Sequence, residues 1–566
     1  MVNQPTRKKR ISLALLLLAV LLCIPQSDCF GKKAKTKKED KKTEAPNQQP
    51  LQIDKTIGDL AEVMAYNPIP IKGVGIVVGL SGTGSSECPP AVRDYLRQYI
   101  QTQVGQRKTV DPDTMINSKD TAVVLVEGFI PPGAVKQEAF DVRVTALPGT
   151  QTTSLQGGRL YTAELKFVSR VEEVVTSSKT LALAAGTIYI DNVAEQKPDQ
   201  RTGYVLGGGK VMQKQQLLLA IYRPDFQTVA LIRNRIDQRF GKNTANAASE
   251  SIIYLTLPQQ FNDRKVRFIE LVKSLYIGTT AVAEDRQMFS LVEKLKTESE
   301  KEKYETGLEA IGKPAIEKLL PLLDSENIQT RFSAARCLLN IGDDRALKVL
   351  RDFAQDTTSP VRLAAIDAIG NAGGERNVIT LMSRLVRDDD FNVRFTAYKF
   401  MQQYDDASIV RTTVGKDFYI DQIIQLSPKT VYVSRKDEAR IVLFGAPIDC
   451  EKNIFIESDD GQIIINALPE ENRISIMRKH PITGELMGPL KTSFRLADLI
   501  KALGDEPAPE DQKLRSGLGV SYSQIVELLK KICEKGAVKA VFVPGPLTPL
   551  VQQPAPPKKE TLNPKP

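Results

Sequence analysis

The sequence has few of the residues that most catalytic and metal centres use. It contains a single histidine, His480, and no Cys-x-x-Cys pair. With one histidine it offers neither a Ser-His-Asp triad nor a histidine-rich metal site, and a structural zinc site of the usual cysteine spacing is not expected. The motifs Gly-x-Ser-x-Gly and His-Glu-x-x-His are also missing. We therefore expect a protein that is not an enzyme, with no catalytic, cofactor-binding or metal-binding residues.

The body of the chain also lacks net charge. Of the total of +9, residues 1–50 carry +7 and residues 544–566 carry +2, which leaves residues 51–543 neutral. A protein that binds duplex DNA normally presents a basic surface to the phosphates. No nucleic-acid partner is therefore expected.

The N-terminus has no apolar run long enough to cross a bilayer. Four basic residues precede the apolar stretch from Ile11 to Ile24, which is shorter than the roughly 20 residues of a transmembrane helix. This pattern predicts a cleaved secretory signal peptide over residues 1–29. Cys29 raises the alternative of a lipoprotein, but Gln26-Ser27-Asp28 before it matches a lipobox poorly.

The expected mature chain is poor in cysteine. Cys88, Cys337, Cys450 and Cys533 lie in separate segments, and Cys337 fits the core of a helix as a small buried side chain. The sequence leaves open whether these four form disulfides.

A glycine-rich stretch, from Lys72 to Gly84, stands out from this background. Its five glycines are Gly73, Gly75, Gly79, Gly82 and Gly84. A Walker loop needs a lysine after its second glycine, and the dinucleotide fingerprint needs a different glycine spacing, so phosphate binding is disfavoured. We interpret the stretch as a strand and turn in which backbone packs closely, because glycine has no side chain in the way.

Strand patterns with turn signals fill most of the chain between Ile53 and about Ile277. Phe140, Val142 and Val144 alternate with polar residues, which indicates a half-exposed strand that closes at Pro148-Gly149. One helix is predicted at about 224–240, where apolar residues recur at helical spacing before Gly241.

These local patterns, in this order, resemble the flagellar P-ring protein family. The matching features are Ile57-Gly58-Asp59-Leu60, the glycine pattern from Val78 to Gly84, Pro131-Pro132, the segment from Ser154 to Leu160, Arg223-Pro224-Asp225-Phe226 and Arg239-Phe240-Gly241. The segment from Gly519 to Val543, with a capped amphipathic helix and a final strand, is similar to the C-terminal end of that family. The resemblance implies a subunit of a periplasmic ring.

A repeat with a period near 31 residues interrupts the resemblance. An aspartate and an arginine recur in each unit, followed by alanines at helical spacing. Paired helices with this period are typical of short HEAT-type repeats. We predict an inter-repeat ladder of ion pairs formed by Asp324, Arg331, Asp356, Arg362, Asp388 and Arg394. The alternative is that these arginines bind a partner.

The predicted fold class is α+β, with β-rich P-ring-like regions interrupted by a short all-α HEAT-like solenoid. The expected segments are a signal peptide at 1–29, a lysine-rich disordered linker at 30–50, a β-rich region at 51–280, a charged helix with HEAT-like repeats at 284–405, a β-rich region at 410–515, a P-ring-like helix and strand at 516–543, and a proline-rich disordered tail at 544–566.

The resemblance implies that the chain forms a closed homo-oligomeric ring, a bushing around the flagellar rod that is needed for motility. The expected partners are other copies of the chain, the rod, outer-membrane ring components, peptidoglycan, and an unidentified protein for the HEAT-like block. Replacing Gly82 or Gly84 by a bulky residue should then impair ring formation and leave the monomer secreted. One alternative is a secreted or periplasmic scaffold that binds a protein through its repeats, and another is a nucleotide-dependent enzyme.

Overall fold

A computed structural model describes residues 55–64, 67–104, 111–167, 179–193, 198–278, 280–424, 428–479, 484–507 and 517–548. The expected signal peptide (1–29) and lysine-rich linker (30–50) lie outside the described residues, as does His480. Most of the expected proline-rich tail also lies outside them.

A closed six-stranded antiparallel barrel forms the first large part of the fold. A short helix α1 (Ile57–Leu60) and strand β1 (Ala61–Met64) precede it. The barrel strands are β2 (Ile69–Val78), β3 (Thr121–Ile130), β4 (Ala139–Ala146), β5 (Arg159–Phe167), β6 (Thr180–Thr187) and β7 (Thr202–Val211), in the order β2-β3-β4-β7-β6-β5. Phe140, Val142 and Val144 on β4 are buried in the barrel core, as their alternation predicts.

Two helices lie between β2 and β3 and cover one side of the barrel. They are α2 (Pro90–Val104) and α3 (Pro112–Ile116). Leu96 and Ile100 of α2 pack with Ile76 of β2 in a small apolar cluster. The Asp111 side chain caps the start of α3, and the hydrogen bond from the Thr114 hydroxyl holds the pKa of this carboxyl below its usual range.

A second, smaller sheet with two helices follows the barrel. Its elements are β8 (Leu217–Ile221), α4 (Phe226–Phe240), β9 (Ala245–Ala247), β10 (Ile252–Leu255) and α5 (Lys265–Ser274), and the sheet order is β1-β8-β10-β9. The Asp225 carboxylate accepts from two backbone amides at the start of α4, and Gly241, with φ of 108°, ends the helix. Val229, Ile232 and Ile236 are buried, as the helical spacing predicts.

The repeat block is all-α. Its helices are α6 (Ala281–Thr297), α7 (Glu302–Ile311), α8 (Ile316–Leu319), α9 (Ile328–Ile341), α10 (Leu347–Gln355), α11 (Arg362–Ala372), α12 (Glu375–Leu385) and α13 (Phe391–Gln403). Small residues allow the close helix contacts that the repeat pattern predicts. A Cβ on Gly370 of α11 would lie 2.3 Å from the Phe400 ring of α13. The helical block after the β-rich part confirms the predicted α+β fold class.

Two further sheets and two helices complete the described chain. Their elements are β11 (Ile409–Val414), β12 (Phe418–Ile424), β13 (Thr430–Arg435), β14 (Arg440–Ala446), β15 (Ile454–Glu457), β16 (Ile463–Ala467), β17 (Ile474–Lys479), β18 (Leu486–Thr492), α14 (Leu496–Gly504), α15 (Tyr522–Glu534) and β19 (Val541–Leu547). The sheet orders are β11-β12-β14-β13-β19 and β15-β16-β17-β18. Ser521 caps α15 in a capping box with Gln524.

The last strand continues past the expected start of the disordered tail at residue 544. Strand β19 runs to Leu547 and pairs in parallel with β13, with Pro544 opposite Val433. Proline is tolerated at this position because β19 is an edge strand, where a missing amide hydrogen need not break the ladder. The predicted boundary was therefore too early.

Polar contacts join the four parts in a closed circuit: barrel, small sheet, repeat block, C-terminal part and back to the barrel. The contacts at the four junctions, in that order, include Lys265 with Glu138 at 2.5 Å, Arg235 with Glu284 at 2.7 Å, Arg394 with Thr430 at 3.0 Å, and Arg435 with Asp191 at 2.9 Å. The repeat block is thus held at both of its ends.

Candidate assembly surface

Two of the five glycines, Gly73 and Gly75, are needed inside the barrel. A Cβ on Gly73 would lie 2.0 Å from the Glu164 carbonyl oxygen of β5, and one on Gly75 would lie 3.0 Å from the Ala163 Cβ. Strand β5 approaches β2 here to close the barrel, and their pairing register shifts between Lys72 and Val77. These glycines therefore allow a contact within the chain rather than between chains.

Gly84 is also enclosed. Its amide donates to the Lys119 carbonyl at 2.9 Å, and a Cβ there would lie 2.0 Å from the Thr121 carbonyl oxygen. A bulky residue at this position would displace backbone in the monomer. The expectation that a Gly84 replacement would affect only the ring is thus wrong, because no side chain fits there.

The turn around Gly82 is held firmly by its neighbours. The Gly82 amide donates to the Asp120 carboxylate at 2.7 Å. The Thr83 hydroxyl donates to the Ser154 carbonyl at 2.9 Å, and the Thr83 carbonyl accepts from the Thr153 amide at 2.9 Å. These bonds fix the turn against the loops before β3 and before β5.

Gly79 and Gly82 differ from the other three because they face open space. Both have positive φ, of 80° and 84°, and among the described residues no heavy atom beyond the adjacent residues lies within 4 Å of the position that a Cβ would take. Gly149 and Gly157, in the loop between β4 and β5, have the same two properties, with φ of 81° and 75°. We call these four residues the open glycines.

The strand pairing brings the open glycines to one end of the barrel. Val78 at the end of β2 pairs with Thr121 at the start of β3 and with Arg159 at the start of β5. The β4–β5 loop therefore lies beside the turn that follows β2. The sequence marked Pro148-Gly149 only as the close of a strand, because its proximity to Gly82 depends on pairing between strands far apart in the chain.

The C-terminal part covers a neighbouring side of the same barrel end. Arg159 forms an ion pair with Asp417 at 3.1 Å. The Ser523 hydroxyl of α15 accepts from the Ile190 amide at 3.0 Å, and Lys530 donates to the Val193 carbonyl at 3.1 Å. The open glycines remain uncovered beside these contacts.

The six residues of the expected repeat ladder do not form a continuous series of ion pairs. Arg362 binds Asp388 in a salt bridge, and this is the one pair among them. The Asp356 carboxylate instead accepts from the Thr358 amide at 2.9 Å. Asp324 forms no ion pair with a described residue. What recurs in each repeat is a hydrogen bond from the arginine to the backbone, not an ion pair.

Each of the three repeat arginines donates to backbone carbonyls at the end of the preceding helix or turn. Arg331 donates to the Ser325 carbonyl at 2.6 Å and Arg362 to the Ala354 carbonyl at 3.2 Å. Arg394 donates to the carbonyls of Asp388 and Asp389, at 2.8 and 2.9 Å. A guanidinium suits this position because the last carbonyls of a helix lack partners and carry partial negative charge.

The described residues hold no group of three or more histidine, cysteine or acidic side chains placed to bind a metal ion. Cys88, Cys337, Cys450 and Cys533 are free thiols in this structure. In the described part of the chain, no helix is long and apolar enough to cross a membrane.

The barrel and the small sheet beside it lie in the part of the chain that is similar to a known protein family. Residues 56–285 match the family described as flagellar P-ring protein, which confirms the resemblance over this part of the chain. Residues 291–370 and 316–402 match HEAT repeats, which confirms the helical repeat block. The resemblance of residues 516–543 to the C-terminal end of the family stays a prediction.

Individual relatives are similar over the same part of the chain. The flagellar P-ring protein of Nitrosospira multiformis is 26% identical over 246 residues, which are 40% of this chain and 61% of the relative. That of Helicobacter pylori strain P12 is 25% identical over 230 residues, 40% of this chain and 62% of the relative. That of Albidiferax ferrireducens is 28% identical over 233 residues, which are 40% of this chain and 60% of the relative. The chain spans about three fifths of these curated relatives.

Proposed function

We propose that this chain is a structural subunit of the flagellar P ring. It assembles in the periplasm into a closed homo-oligomeric ring that acts as a bushing around the rod and is needed for motility. Its further partners are the rod, outer-membrane ring components and peptidoglycan. The proposal includes no catalytic step and no cofactor. The match of residues 56–285 to the flagellar P-ring protein supports the ring assignment.

The observation that carries the assembly part of the proposal is the group of open glycines at one barrel end. A ring closes by rotation when one surface of each subunit binds a different surface of the next. Because glycine has no side chain, a neighbouring subunit or the rod can approach the backbone closely at such positions. Gly79, Gly82, Gly149 and Gly157 offer such a surface because nothing in the described chain covers them.

The charge distribution fits the same role. A bushing must not bind a turning rod strongly, and residues 51–543 are neutral overall. A surface without net charge produces little long-range attraction. Most of the positive charge is instead near the N-terminus, in residues 1–50.

The experiment replaces Gly82 or Gly157 by tyrosine in the cell and examines isolated basal bodies by electron microscopy. The matched control is Gly342→Tyr in the repeat block, because Gly342 also has positive φ, of 98°, and open space at its Cβ. All three variants bear a similar backbone strain of about 1–2 kcal/mol. Export and thermal midpoint should therefore change alike.

Only the two barrel-end variants should lose the annulus and motility. If Gly82→Tyr and Gly157→Tyr both give normal rings, the barrel end is not the assembly surface. If basal bodies contain rings without this chain, the P-ring role itself fails.

A further inference from the structure

A basic pocket lies between two helices of the repeat block, far along the chain from the barrel. Helices α10 and α12 border a cavity of about 290 Å³. Its polar lining consists of Arg351, Gln355, Arg376, Asn377, Thr380 and Arg384. No described aspartate or glutamate lines the pocket. We call this cavity the arginine pocket.

The three guanidinium groups of the arginine pocket have no acidic partner in the described part of the chain. No described residue forms an ion pair with Arg351, Arg376 or Arg384. Arg351 donates to the Asn377 side-chain oxygen at 2.6 Å, which holds one guanidinium in place at the pocket. Arg376 and Arg384 are exposed. Most other arginines of the repeat block bind carboxylates or carbonyls of the same chain. Arg336, for example, forms a 2.6 Å ion pair with Glu305.

The chemistry of the pocket selects an anion with oxygen ligands. A guanidinium has donors in a planar fork that matches a carboxylate or phosphate, and the resulting hydrogen bonds are stronger than neutral ones. The side chains of Gln355 and Thr380 add further polar groups that can bind a peptide backbone. The pocket therefore suits an anionic group that is carried by a peptide.

The spacing of the arginines favours two carboxylates over one phosphate. Arg376 and Arg384 are eight positions apart on α12, which places them about 12 Å apart along the helix axis. A single phosphate would contact both arginines only if their side chains turned toward each other, whereas two separate carboxylates can each bind one arginine. In an extended peptide, residues four positions apart point the same way and lie about 13 Å apart.

We propose that the arginine pocket binds an acidic segment of a partner protein in extended conformation, with two carboxylates placed four residues apart. The solenoid then serves as a recognition surface, a common use of helical repeats. The proposal does not rest on the P-ring role. It gives a defined site to the expected but unidentified protein partner of the repeats.

The experiment measures fluorescence anisotropy with the purified full chain and a labelled peptide, Glu-Ser-Thr-Ser-Glu, at low salt. The comparison probes are the same peptide with both glutamates replaced by glutamine, the peptide with one glutamate replaced, and inorganic phosphate as a competitor. The test variant is Arg376→Gln with Arg384→Gln. These side chains are exposed and bind no described residue, so the thermal midpoint should not change.

The matched control is Lys348→Ala, which removes an exposed cation of the same helix as Arg351 outside the pocket lining. We expect the double arginine variant and the double-glutamine peptide each to weaken binding at least tenfold, and the control less than twofold. Rising salt should weaken the wild-type complex because it screens exposed charges.

Three results would overturn the proposal. The first is no measurable binding of the acidic peptide to the wild-type chain. The second is equal loss of binding in Lys348→Ala, which would indicate a non-specific attraction. The third is that phosphate displaces the peptide at a lower concentration than the peptide's own dissociation constant, which would make the pocket a single-anion site.

Discussion

Tyr398, on the last helix of the repeat block, donates a hydrogen bond of 2.6 Å to the carboxylate of Asp421 in the C-terminal sheet. Asp421 is completely buried. Its two oxygens also accept from Arg440 at 2.6 Å and from Arg411 at 2.9 Å. A buried carboxylate with three donors therefore joins the solenoid to strands β11, β12 and β14.

Asp421→Ala should be among the most destabilising single substitutions in this region. It leaves Arg440 buried without its main counter-charge, and losing one partner of a buried pair costs about 3–5 kcal/mol. Tyr398→Phe keeps both arginine pairs and should cost less, about 1.5–3 kcal/mol. Urea unfolding followed by circular dichroism measures both. Equal stability of Asp421→Ala and the wild type would contradict this account.

The same carboxylate should make stability depend on pH in the acid range. Burial opposes ionisation of Asp421, but hydrogen bonds from Arg411 and Tyr398 and the charge of Arg440 outweigh it and lower its pKa. A lowered folded-state pKa stabilises the fold at every pH above the unfolded value, about 3.9. That contribution is lost as pH falls further, through the folded-state pKa.

We therefore expect the wild type to lose more free energy of unfolding than Asp421→Asn between pH 4 and pH 2.5. Urea titrations of both proteins across this range give the comparison. The other carboxylates contribute equally to both, so parallel curves would show that Asp421 does not carry the effect.

A second buried ion pair should couple helix α5, beside the small sheet, to the repeats. Glu309 of α7 is 3% exposed and accepts from Arg267 of α5 at 3.1 Å and from Asn340 of α9 at 3.1 Å. Glu309→Ala should cost about 3–5 kcal/mol because Arg267 loses its buried partner. The control is Glu293→Ala, whose ion pair with Lys296 is nearly half exposed and should contribute less than about 1 kcal/mol. A similar loss in both variants would argue against the coupling.

The enclosed and open glycines should respond very differently to alanine. Gly73→Ala places a Cβ 2.0 Å from a β5 carbonyl oxygen, and we expect little folded protein. Gly79→Ala meets open space and should cost only the left-handed backbone strain, about 1–2 kcal/mol. Soluble yield and thermal midpoint distinguish the two. A stable Gly73→Ala protein would mean that the barrel closes in another way.

The free thiols should differ in reactivity with iodoacetamide at pH 8. Cys337 is fully buried, and this burial raises the pKa of its thiol well above the usual value. Cys88 is only partly buried and should be alkylated first. Mass spectrometry of the native protein over time measures the order. Alkylation of Cys337 at the rate of Cys88 would show that the helices around Cys337 open readily.

Local sequence signals predicted the local structure well. The alternation of Phe140, Val142 and Val144 marked a half-exposed strand, which is β4, and the helical spacing before Gly241 marked α4. These signals depend on neighbouring residues only, such as a carboxylate that accepts from the next amides. The repeat period identified the solenoid for the same reason.

The pairing of distant residues could not be read in this way. An aspartate and an arginine in each repeat suggested a ladder of ion pairs, but Arg331 and Arg394 bind backbone carbonyls instead. Since every residue has a backbone carbonyl, the sequence does not indicate which one will accept. The five glycines likewise looked equivalent. Only the closure of the barrel by β5 distinguishes Gly73, which is enclosed, from Gly82, which is open.

The closed circuit of contacts attaches the helical block to the rest of the chain at two separate points. An appended solenoid could swing about one joint, but this one is fixed to the small sheet through Arg235 and to the C-terminal part through Arg394. The C-terminal part in turn contacts the barrel through the ion pair between Arg435 and Asp191. A sideways load on the barrel would therefore pass along two routes, through the repeats and through the C-terminal part, instead of bending the chain at one joint.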